Sequence, residues 1–273
     1  MNKDVLQVVV SDFHSGSNYA LFVDRFWQGA QGQNHQATSQ QQKIRKQFIK
    51  FGDEVKKARK GKRVVLVHNG DAIDGDHHLA QDVCSRVQIE QSDIHIELMN
   101  ELQKRIGWQA GDEMYYTRGT QTHVNENEDY IAEKMNAVYD GVFGVHNVLK
   151  LKVNNVVSWF LHHGPSSGRG ANRGNTMRNY LKNLHFEEGN AGREAPDIVY
   201  TAHYHNPVFA SFEPEYPGTR YKIMHGLVLP SWQGKTLYAW RVASVDKNMI
   251  GGVIHEIKAD GTITVPKFCV MET

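Results

Sequence analysis

The chain of 273 residues has little cysteine and no apolar run that approaches the length of a membrane span. Its two cysteines, Cys84 and Cys269, are far apart and lack the short spacing of a metal-binding or redox pair. These features predict a chain that folds without disulfides in a reducing compartment, and we expect it to be cytoplasmic. The chain also lacks an N-terminal basic segment followed by a long apolar one, so the sequence predicts no signal peptide.

An excess of charge of either sign is also missing, since the formal net charge is +1. A balanced charge argues against a protein that coats nucleic acid, but not against an enzyme that binds it through a local patch and metal ions. The length and the 40% hydrophobic content fit one large α/β domain. We therefore expect a single domain over residues 1–273.

Histidine is abundant, with 15 residues, and several of these follow apolar runs. Four runs that we predict to be strands end in Asp or His; they span 5–10, 63–67, 156–161 and 198–201. Open α/β sheets bind ligands outside the carboxyl ends of their strands. Carboxylates and imidazoles together are the ligands of a hydrolytic site with divalent metals.

Asp71 is the central residue of this pattern because it follows a buried strand and a glycine turn at Gly70. Asp12 and His14 follow the first strand, and residues two apart on an extended segment point to the same side. They are therefore able to bind one ion together. The alternative is that Asp12 caps the next helix and His14 is a surface residue.

Apolar periodicity predicts the rest of the framework. Ile44, Phe48, Phe51 and Val55 mark an amphipathic helix after a polar loop at 16–42, which we expect to lie beside the site. The other predicted elements are helices near 79–106, 127–139 and 176–186, a strand at 114–117, and a hairpin of 148–153 with 156–161.

Short strands with Gly and Pro turns follow Pro207, and Asp260–Gly261 is predicted to be a hairpin turn. We expect residues 207–273 to form an antiparallel sheet portion of the same domain. The predicted strands span 208–212, 221–228, 237–245, 253–257 and 262–265.

Two further groups are candidates for contact with a substrate. Arg169 and Arg173 lie in a glycine-rich segment that is able to approach a phosphate, although a flexible connector explains either arginine alone slightly better. His77 and His78 follow Asp74 at the predicted mouth of the site. We expect His77 to contact substrate, and the alternative is that both histidines belong to an exposed loop.

Five motifs occur in the order seen in calcineurin-like metallophosphoesterases, and the chain resembles that superfamily, including its phage-encoded and exonuclease members. They are Asp12-x-His14, Gly70-Asp71-x-x-Asp74, the glycine turn with a histidine at Gly119 to His123, His163-Gly164, and Ala202-His203-x-His205. The resemblance implies a four-layer α-β-β-α sandwich of mixed sheets with a centre for two divalent metal ions.

The resemblance also implies a ligand set. Asp12, His14 and His205 would hold the first ion, Asp71 would bridge, and His163 and His203 would hold the second. His162 is the alternative to His163, and we expect it to point to the opposite face if the strand continues that far. Oxygen and imidazole ligands suit Mn²⁺, our first choice, as well as Fe, Zn²⁺ or Mg²⁺.

The third motif departs from the family pattern of Gly-Asn-His followed by an acidic residue. Here the run is Gly119-Thr120-Gln121-Thr122-His123, with two extra residues and no Asn. We expect Gln121 to supply the amide oxygen to the second ion and His123 to act as the general acid. The alternative is that His123 is itself a ligand.

The expected activity is hydrolysis of a phosphoester by a hydroxide that two metal ions activate. We expect a phosphodiester, with single-stranded DNA or a nucleotide as substrate. The alternatives are a phosphomonoesterase or phosphoprotein phosphatase, and a non-catalytic metal-binding scaffold, which the altered third motif suggests. No membrane partner is expected, and the oligomeric state is left open.

Overall fold

The structure is a computed structural model that describes residues 3–76, 82–139, 142–214, 222–236 and 248–272. Its strands and helices are numbered here in chain order. They are β1 (Val5–Val10), β2 (Trp27–Gln28), β3 (Asn34–His35), α1 (Ser39–Arg59), β4 (Arg63–Asn69), α2 (Gln88–Ile106), β5 (Glu113–Thr117), α3 (Gln121–Val124), α4 (Asn127–Lys134), β6 (Val138–Tyr139), β7 (Val142–Phe143), β8 (Leu149–Val153), β9 (Val156–Phe160), α5 (Asn175–Asn190), β10 (Ile198–Thr201), β11 (Val208–Phe212), β12 (Met224–Val228), β13 (Met249–Ile257) and β14 (Lys267–Glu272).

Two five-stranded sheets form the centre of the protein. The first has the order β14-β13-β1-β4-β5, in which β1, β4 and β5 are parallel and β13 is antiparallel to both of its neighbours. The second has the order β11-β12-β10-β9-β8, with three parallel central strands and an antiparallel strand at each edge. Both sheets are therefore mixed, as expected.

Three apolar clusters separate four layers. One lies between the helices α1 and α2 and the first sheet, the second between the sheets, and the third between the second sheet and α5. Strand β1 contributes to two of them: Leu6 and Val8 face the helices, while Val5 and Val9 face the other sheet. This alternation follows from the pleat of a strand that is buried on both faces. The predicted α-β-β-α sandwich is confirmed.

Helix α1 has the apolar stripe that the sequence predicts, with Ile44, Phe48, Phe51 and Val55 all buried. Thr38 begins it with a capping box, since its hydroxyl accepts from the Gln41 backbone and the Gln41 side chain accepts from the Thr38 backbone. The predicted hairpin is also confirmed. Its turn uses Asn154 and Asn155, both with positive φ, as a two-residue hairpin turn requires.

Several predicted boundaries differ from the structure. Helix α2 begins at Gln88 rather than near residue 79, and α4 ends at Lys134 rather than at 139. The segment 16–42 is only partly the peripheral loop that we expected, because Phe22 and Trp27 are buried in the core. Phe26 is 61% exposed. The composition of the loop does not show which of these three aromatic residues is buried. Only the packing of the loop in the tertiary structure determines this.

The strands after Pro207 do not form one antiparallel sheet. Strands β11 and β12 join the second sheet, where β12 is parallel to β10, whereas β13 and β14 join the first. The predicted strand at 262–265 is only an isolated antiparallel bridge between Ile263 and Ile257, with the predicted hairpin turn at Asp260 and Gly261, and the strand β14 follows it. The predicted strand at 237–245 lies outside the described residues. No helix in the described part of the chain is long and apolar enough to cross a membrane.

Candidate metal centre

The ends of β1, β4, β9 and β10 meet at one edge of the two sheets. The loop after β1 continues beside the loop after β4, since the backbone N–H of His14 donates to the Asp71 carbonyl at 3.0 Å. Across the sandwich, the N–H of His203 donates to Oδ1 of Asp12 at 3.2 Å. The juxtaposition of these strand ends is the one that the sequence predicts.

The backbone is in the left-handed region at five of the predicted ligands. The φ angles are 50° at Asp12, 45° at His14, 54° at Asp71, 70° at His203 and 53° at His205. This conformation is uncommon for residues other than glycine and clusters at functional sites, where the surrounding structure holds it. Because these residues do not have strand backbone, strand alternation does not determine where their side chains point.

Two glycines allow the loops to come this close. A Cβ atom on Gly70, which has a φ of 84°, would collide with the imidazole of His162. A Cβ on Gly119 would collide with the backbone nitrogen and a carboxylate oxygen of Asp71. Glycine is therefore required at both positions by the space available.

The side chains form four overlapping groups of possible metal ligands, in each of which the ligand atoms lie within 4.8 Å of one another. Asp12, His14 and His162 each belong to two groups and so connect all four. The groups are Asp12, His14 and His205; Asp12, Asp71 and His162; His162, His163 and His203; and His14, Asp74 and His123.

His14 provides a test of whether this set suits a cation. Its ring is buried, and neither ring nitrogen has an aligned hydrogen bond to any residue that the structure describes. Instead, Nδ1 lies 3.2 Å from Oδ1 of Asp74 and Nε2 lies 3.8 Å from Oδ2 of Asp71. A buried Nε2 that has no hydrogen-bond partner and faces a carboxylate, on a ring whose Nδ1 faces a second carboxylate, is what a metal site requires. The residues present fit a divalent metal ion.

Both His162 and His163 face the centre, with ring centroids 4.9 Å apart. The condition under which we expected His162 to point to the opposite face is not met, because β9 ends at Phe160 and strict alternation ends with it. Nδ1 of His162 lies 2.9 Å from the carbonyl oxygen of Asn69 and so carries the proton. Its Nε2 lies 3.0 Å from Oδ2 of Asp71.

The electrostatics favour a cation between the carboxylates. Burial alone would lower the pKa of His162, but the Asp71 carboxylate outweighs it and raises that pKa to about 10. Burial alone would raise the pKa of Asp12, but His205 and His162 lower it to about 2. The pKa of Asp71 is lowered well below its usual value, against the effect of burial, chiefly by His162. Two buried carboxylates are thus held ionised by surrounding imidazoles.

Thr120, rather than Gln121, is in contact with Asp71. The Thr120 N–H donates to Oδ1 of Asp71 at 2.6 Å, and its hydroxyl donates to Oδ2 at 3.2 Å. Gln121 begins α3 in an exposed position and lines an open cleft beside the centre. A ligand role for Gln121 stays a prediction without a contact to support it.

His123 lies next to His14, with ring centroids 4.8 Å apart. Its Nδ1 is 2.8 Å from the backbone carbonyl oxygen of Asp74, so the proton on Nδ1 is donated to that carbonyl. In the neutral ring, Nε2 is therefore the nitrogen that lacks the proton. His123 is partly buried, and its position agrees with either of the roles predicted for it.

Glu128 is a residue that sequence reasoning missed. It is buried, and its two carboxylate oxygens accept from the N–H groups of Ala72 at 3.2 Å and Gly119 at 2.8 Å. It therefore ties the Asp71 loop to the glycine turn. Burial raises the pKa of Glu128 to about 7. The family pattern of the third motif has an acidic residue directly after the histidine. In this chain the acidic residue lies later, in the first turn of α4, and this pattern was the one signal that could have identified it.

The structure places the predicted substrate-binding residues in different surroundings. Arg173 donates to Oδ1 of Asn206 at 3.0 Å and to the carbonyl of Pro207 at 2.6 Å. These hydrogen bonds stabilise the loop that carries His205. Arg169 is exposed at the start of a 3₁₀ turn. His77 lies outside the described residues, as does His78. Contact of any of these with a substrate stays a prediction.

The order of layers, the two mixed sheets and the position of the centre are now established from the structure. The chain forms a four-layer α-β-β-α sandwich of two mixed sheets, the architecture that the resemblance to calcineurin-like metallophosphoesterases implies. No family model matches the chain, and no curated protein matches it.

Solved structures with a similar arrangement include three at low identity. They are a predicted phosphoesterase from Streptococcus pneumoniae, with 13% identity over 100% of both chains and a TM-score of 0.34; Vps29 with Zn²⁺ from Entamoeba histolytica, with 13% identity over 97% of this chain and 99% of that one and a TM-score of 0.34; and a metallophosphoesterase from Sphaerobacter thermophilus, with 10% identity over 96% and 87% and a TM-score of 0.34. At these TM-scores, function is inferred from the side chains of the centre alone.

Proposed function

We propose that this protein hydrolyses phosphoesters with divalent metal ions, and that phosphodiesters are its preferred substrates. One observation carries the proposal. Carboxylates and imidazoles from four separate strand ends, most of them buried, lie in overlapping groups within 4.8 Å, and five of these residues adopt the left-handed backbone conformation that clusters at functional sites.

The residues divide into two ion-binding groups that share Asp71. Asp12, His14 and His205 would hold one ion, and the histidines after β9 and β10 would hold the other. Divalent cations bound there supply Lewis-acid activation of the phosphoryl group and lower the pKa of water. The anionic Asp71 offsets the repulsion between two neighbouring cations.

His123 is the proposed general acid. Its Nδ1–H is donated to the Asp74 carbonyl, which fixes the ring and its tautomer. A protonated Nε2 is then suited to donate to the leaving alkoxide. The adjacent ring of His14 places this group beside the first ion-binding group.

The diester preference is supported by the exposed side of the centre, where His163 is open to solvent and His203 and His205 are only partly buried. This open side leaves room for the second ester substituent of a diester. The nearby surface along α4 is acidic, because Glu126, Asp129 and Glu133 line it and its Arg118 is paired with Asp129. An acidic surface repels a long polyanion and so favours a small diester.

The test is a substrate panel with metal-loaded protein. We expect bis-p-nitrophenyl phosphate to be hydrolysed faster than p-nitrophenyl phosphate with Mn²⁺, and a cyclic nucleotide faster than single-stranded DNA. The metal-free protein and Asp71→Asn are the controls. Faster hydrolysis of monoesters would reverse the preference, and an inactive protein that still binds metal would favour a scaffold.

A further inference from the structure

Tyr204 lies between two of the proposed metal ligands, His203 and His205, in the loop after β10. It is the variable residue of the Ala202-His203-x-His205 motif, and no step of the proposed hydrolysis uses it. The residue is 47% exposed, whereas both neighbouring histidines are partly buried. A large aromatic ring is therefore presented to solvent directly beside the centre.

Hydrogen bonds hold the backbone of this loop on both sides of Tyr204. The N–H of Ala202 donates to the His162 carbonyl at 3.0 Å, and the N–H of Tyr204 donates to the Ala202 carbonyl at 2.8 Å. Further along the loop, Arg173 donates to the Pro207 carbonyl at 2.6 Å. The position of the aromatic side chain is thus fixed before a ligand binds, and a Tyr ring loses the freedom of only two χ angles on binding.

The contacts of the Tyr204 ring leave one of its faces open. Its centroid lies 5.3 Å from that of His203, and the two rings meet edge to face with an interplanar angle of 78°. In this arrangement His203 covers at most one face of the Tyr204 ring. Since the residue is 47% exposed, a planar aromatic group is able to stack on the ring, in one of the arrangements that aromatic pairs prefer.

The substituents of a bound phosphoester extend toward the same side. The inner side of the centre is closed, because Asp12, Asp71 and His162 are buried there. His163 is exposed on the outer side, with its ring centroid 4.7 Å from that of His203. Tyr204 contacts His203 as well, so a substituent that leaves the phosphate on the outer side comes close to the aromatic ring.

We propose that Tyr204 stacks on a nucleobase of a phosphodiester substrate while the centre holds the phosphate. The inference rests on the proposed function for the position of the phosphate, and it adds the class of the substituent. Stacking uses the flat face of a base rather than its hydrogen-bonding edge, so Tyr204 is able to stack on any base. The substrate is then a nucleotide diester rather than an alkyl diester, without selection of one base.

The test compares a thymidine dinucleotide with its abasic analogue, in which hydrogen replaces both bases. The two compounds share the phosphate, the sugars and the leaving group. We expect kcat/KM of the metal-loaded protein to be about 5- to 150-fold higher for the dinucleotide, which is the contribution of one stacked base. The difference should lie in KM, since stacking stabilises the bound substrate and the transition state alike.

In Tyr204→Ala the ratio of the two kcat/KM values should fall toward unity, whereas Tyr204→Phe should keep it. The matched control is Tyr139→Ala, which removes the ring of a residue on β6 that is 37% exposed, and it should keep the ratio as well. The ratio cancels any general effect of a substitution on the centre. Equal values for both compounds in the parent, or an unchanged ratio in Tyr204→Ala, would overturn the inference and leave the proposed function intact.

Hydrolysis of neither compound by the metal-loaded parent would instead overturn the proposed function. Titration calorimetry with the same two compounds then decides the stacking by itself, because binding needs no turnover. Tighter binding of the dinucleotide than of the abasic analogue, lost in Tyr204→Ala and kept in Tyr204→Phe, would support the role of Tyr204. Equal binding of the two compounds would refute it.

Discussion

The Nδ1 atom of His14 lies 3.2 Å from Oδ1 of Asp74. The same carboxylate oxygen accepts a hydrogen bond from Nε2 of Gln233 at 3.1 Å, so it is held from a second side. Because the Asp74 carboxylate faces Nδ1 of His14, the other ring nitrogen, Nε2, faces Asp71. A buried carboxylate in this position orients an imidazole toward an ion.

Asp74→Asn keeps the size of the side chain and removes its charge. We expect it to weaken Mn²⁺ binding by about 10- to 100-fold, since a carboxylate behind a ligating histidine fixes the ring and raises its basicity. Titration calorimetry measures the affinity. Asp76→Asn removes the same charge from an exposed position two residues away, and equal weakening in both variants would mean that only long-range charge matters.

Asp71→Asn tests the shared ligand. We expect the metal content to fall and activity to be nearly lost, because two neighbouring cations need an anion between them. The fold should survive in the metal-free state, since Asn keeps a side-chain oxygen for the Thr120 N–H, and His162 is able to lose the proton whose charge Asp71 stabilises. Elemental analysis and a thermal melt check both parts, and an unchanged metal content would refute the bridging role.

His123→Ala separates the two roles of that residue. If it is the general acid, both ions stay bound and substrates with poor leaving groups slow by about 10²- to 10⁴-fold, while nitrophenyl esters slow less. If it is a ligand with His14 and Asp74, metal content falls and all substrates slow alike. We expect the first pattern, measured as kcat across a leaving-group series together with metal analysis.

Glu128→Gln tests the residue that joins the Asp71 loop to the glycine turn. A carboxamide offers one oxygen where two backbone N–H groups now donate, so one buried N–H loses its acceptor. We expect the free energy of unfolding of the metal-free protein to fall by about 1 to 3 kcal/mol, measured in urea. Glu126→Gln, at an exposed position of the same segment, should have little effect, and a similar loss there would contradict the explanation.

His255 lies between the two sheets, and we expect it to make the stability of the protein depend on pH. Its Nε2–H is donated to the Thr264 carbonyl, and its Nδ1 accepts from the Tyr200 hydroxyl at 2.7 Å. Burial lowers its pKa from 6.5 to about 4. The unfolded chain therefore takes up the proton first as the pH falls, so stability is complete above pH 6.5 and is lost as the pH falls toward 4.

The loss from His255 amounts to about 3 kcal/mol at most. Urea unfolding at a series of pH values should show a shallower dependence for His255→Gln than for the parent, with His185→Gln as a control on α5. An identical pH dependence in all three proteins would refute the assignment.

Much of the framework was predictable because local pattern and burial agree. The stripe of α1, the hairpin at Asn154 and Asn155, and the strands β1, β4 and β10 follow from periodicity and turn chemistry. The C-terminal strands were not predictable in arrangement, since β12 and β13 have similar apolar character but pair in different sheets. Pairing depends on partners that are far away in sequence.

The sequence by itself determined which strand ends carry Asp and His, because an apolar run followed by a polar ligand is visible without a partner. Only the tertiary structure decided which atoms meet. The backbone at Asp12, Asp71 and His205 is left-handed, so strand alternation does not determine where these side chains point. Likewise, β9 ends at Phe160, and His162 and His163 lie on the same side. These conformations are imposed by contacts between distant loops, such as that of Gly70 with His162, and leave no local trace in the residues that adopt them.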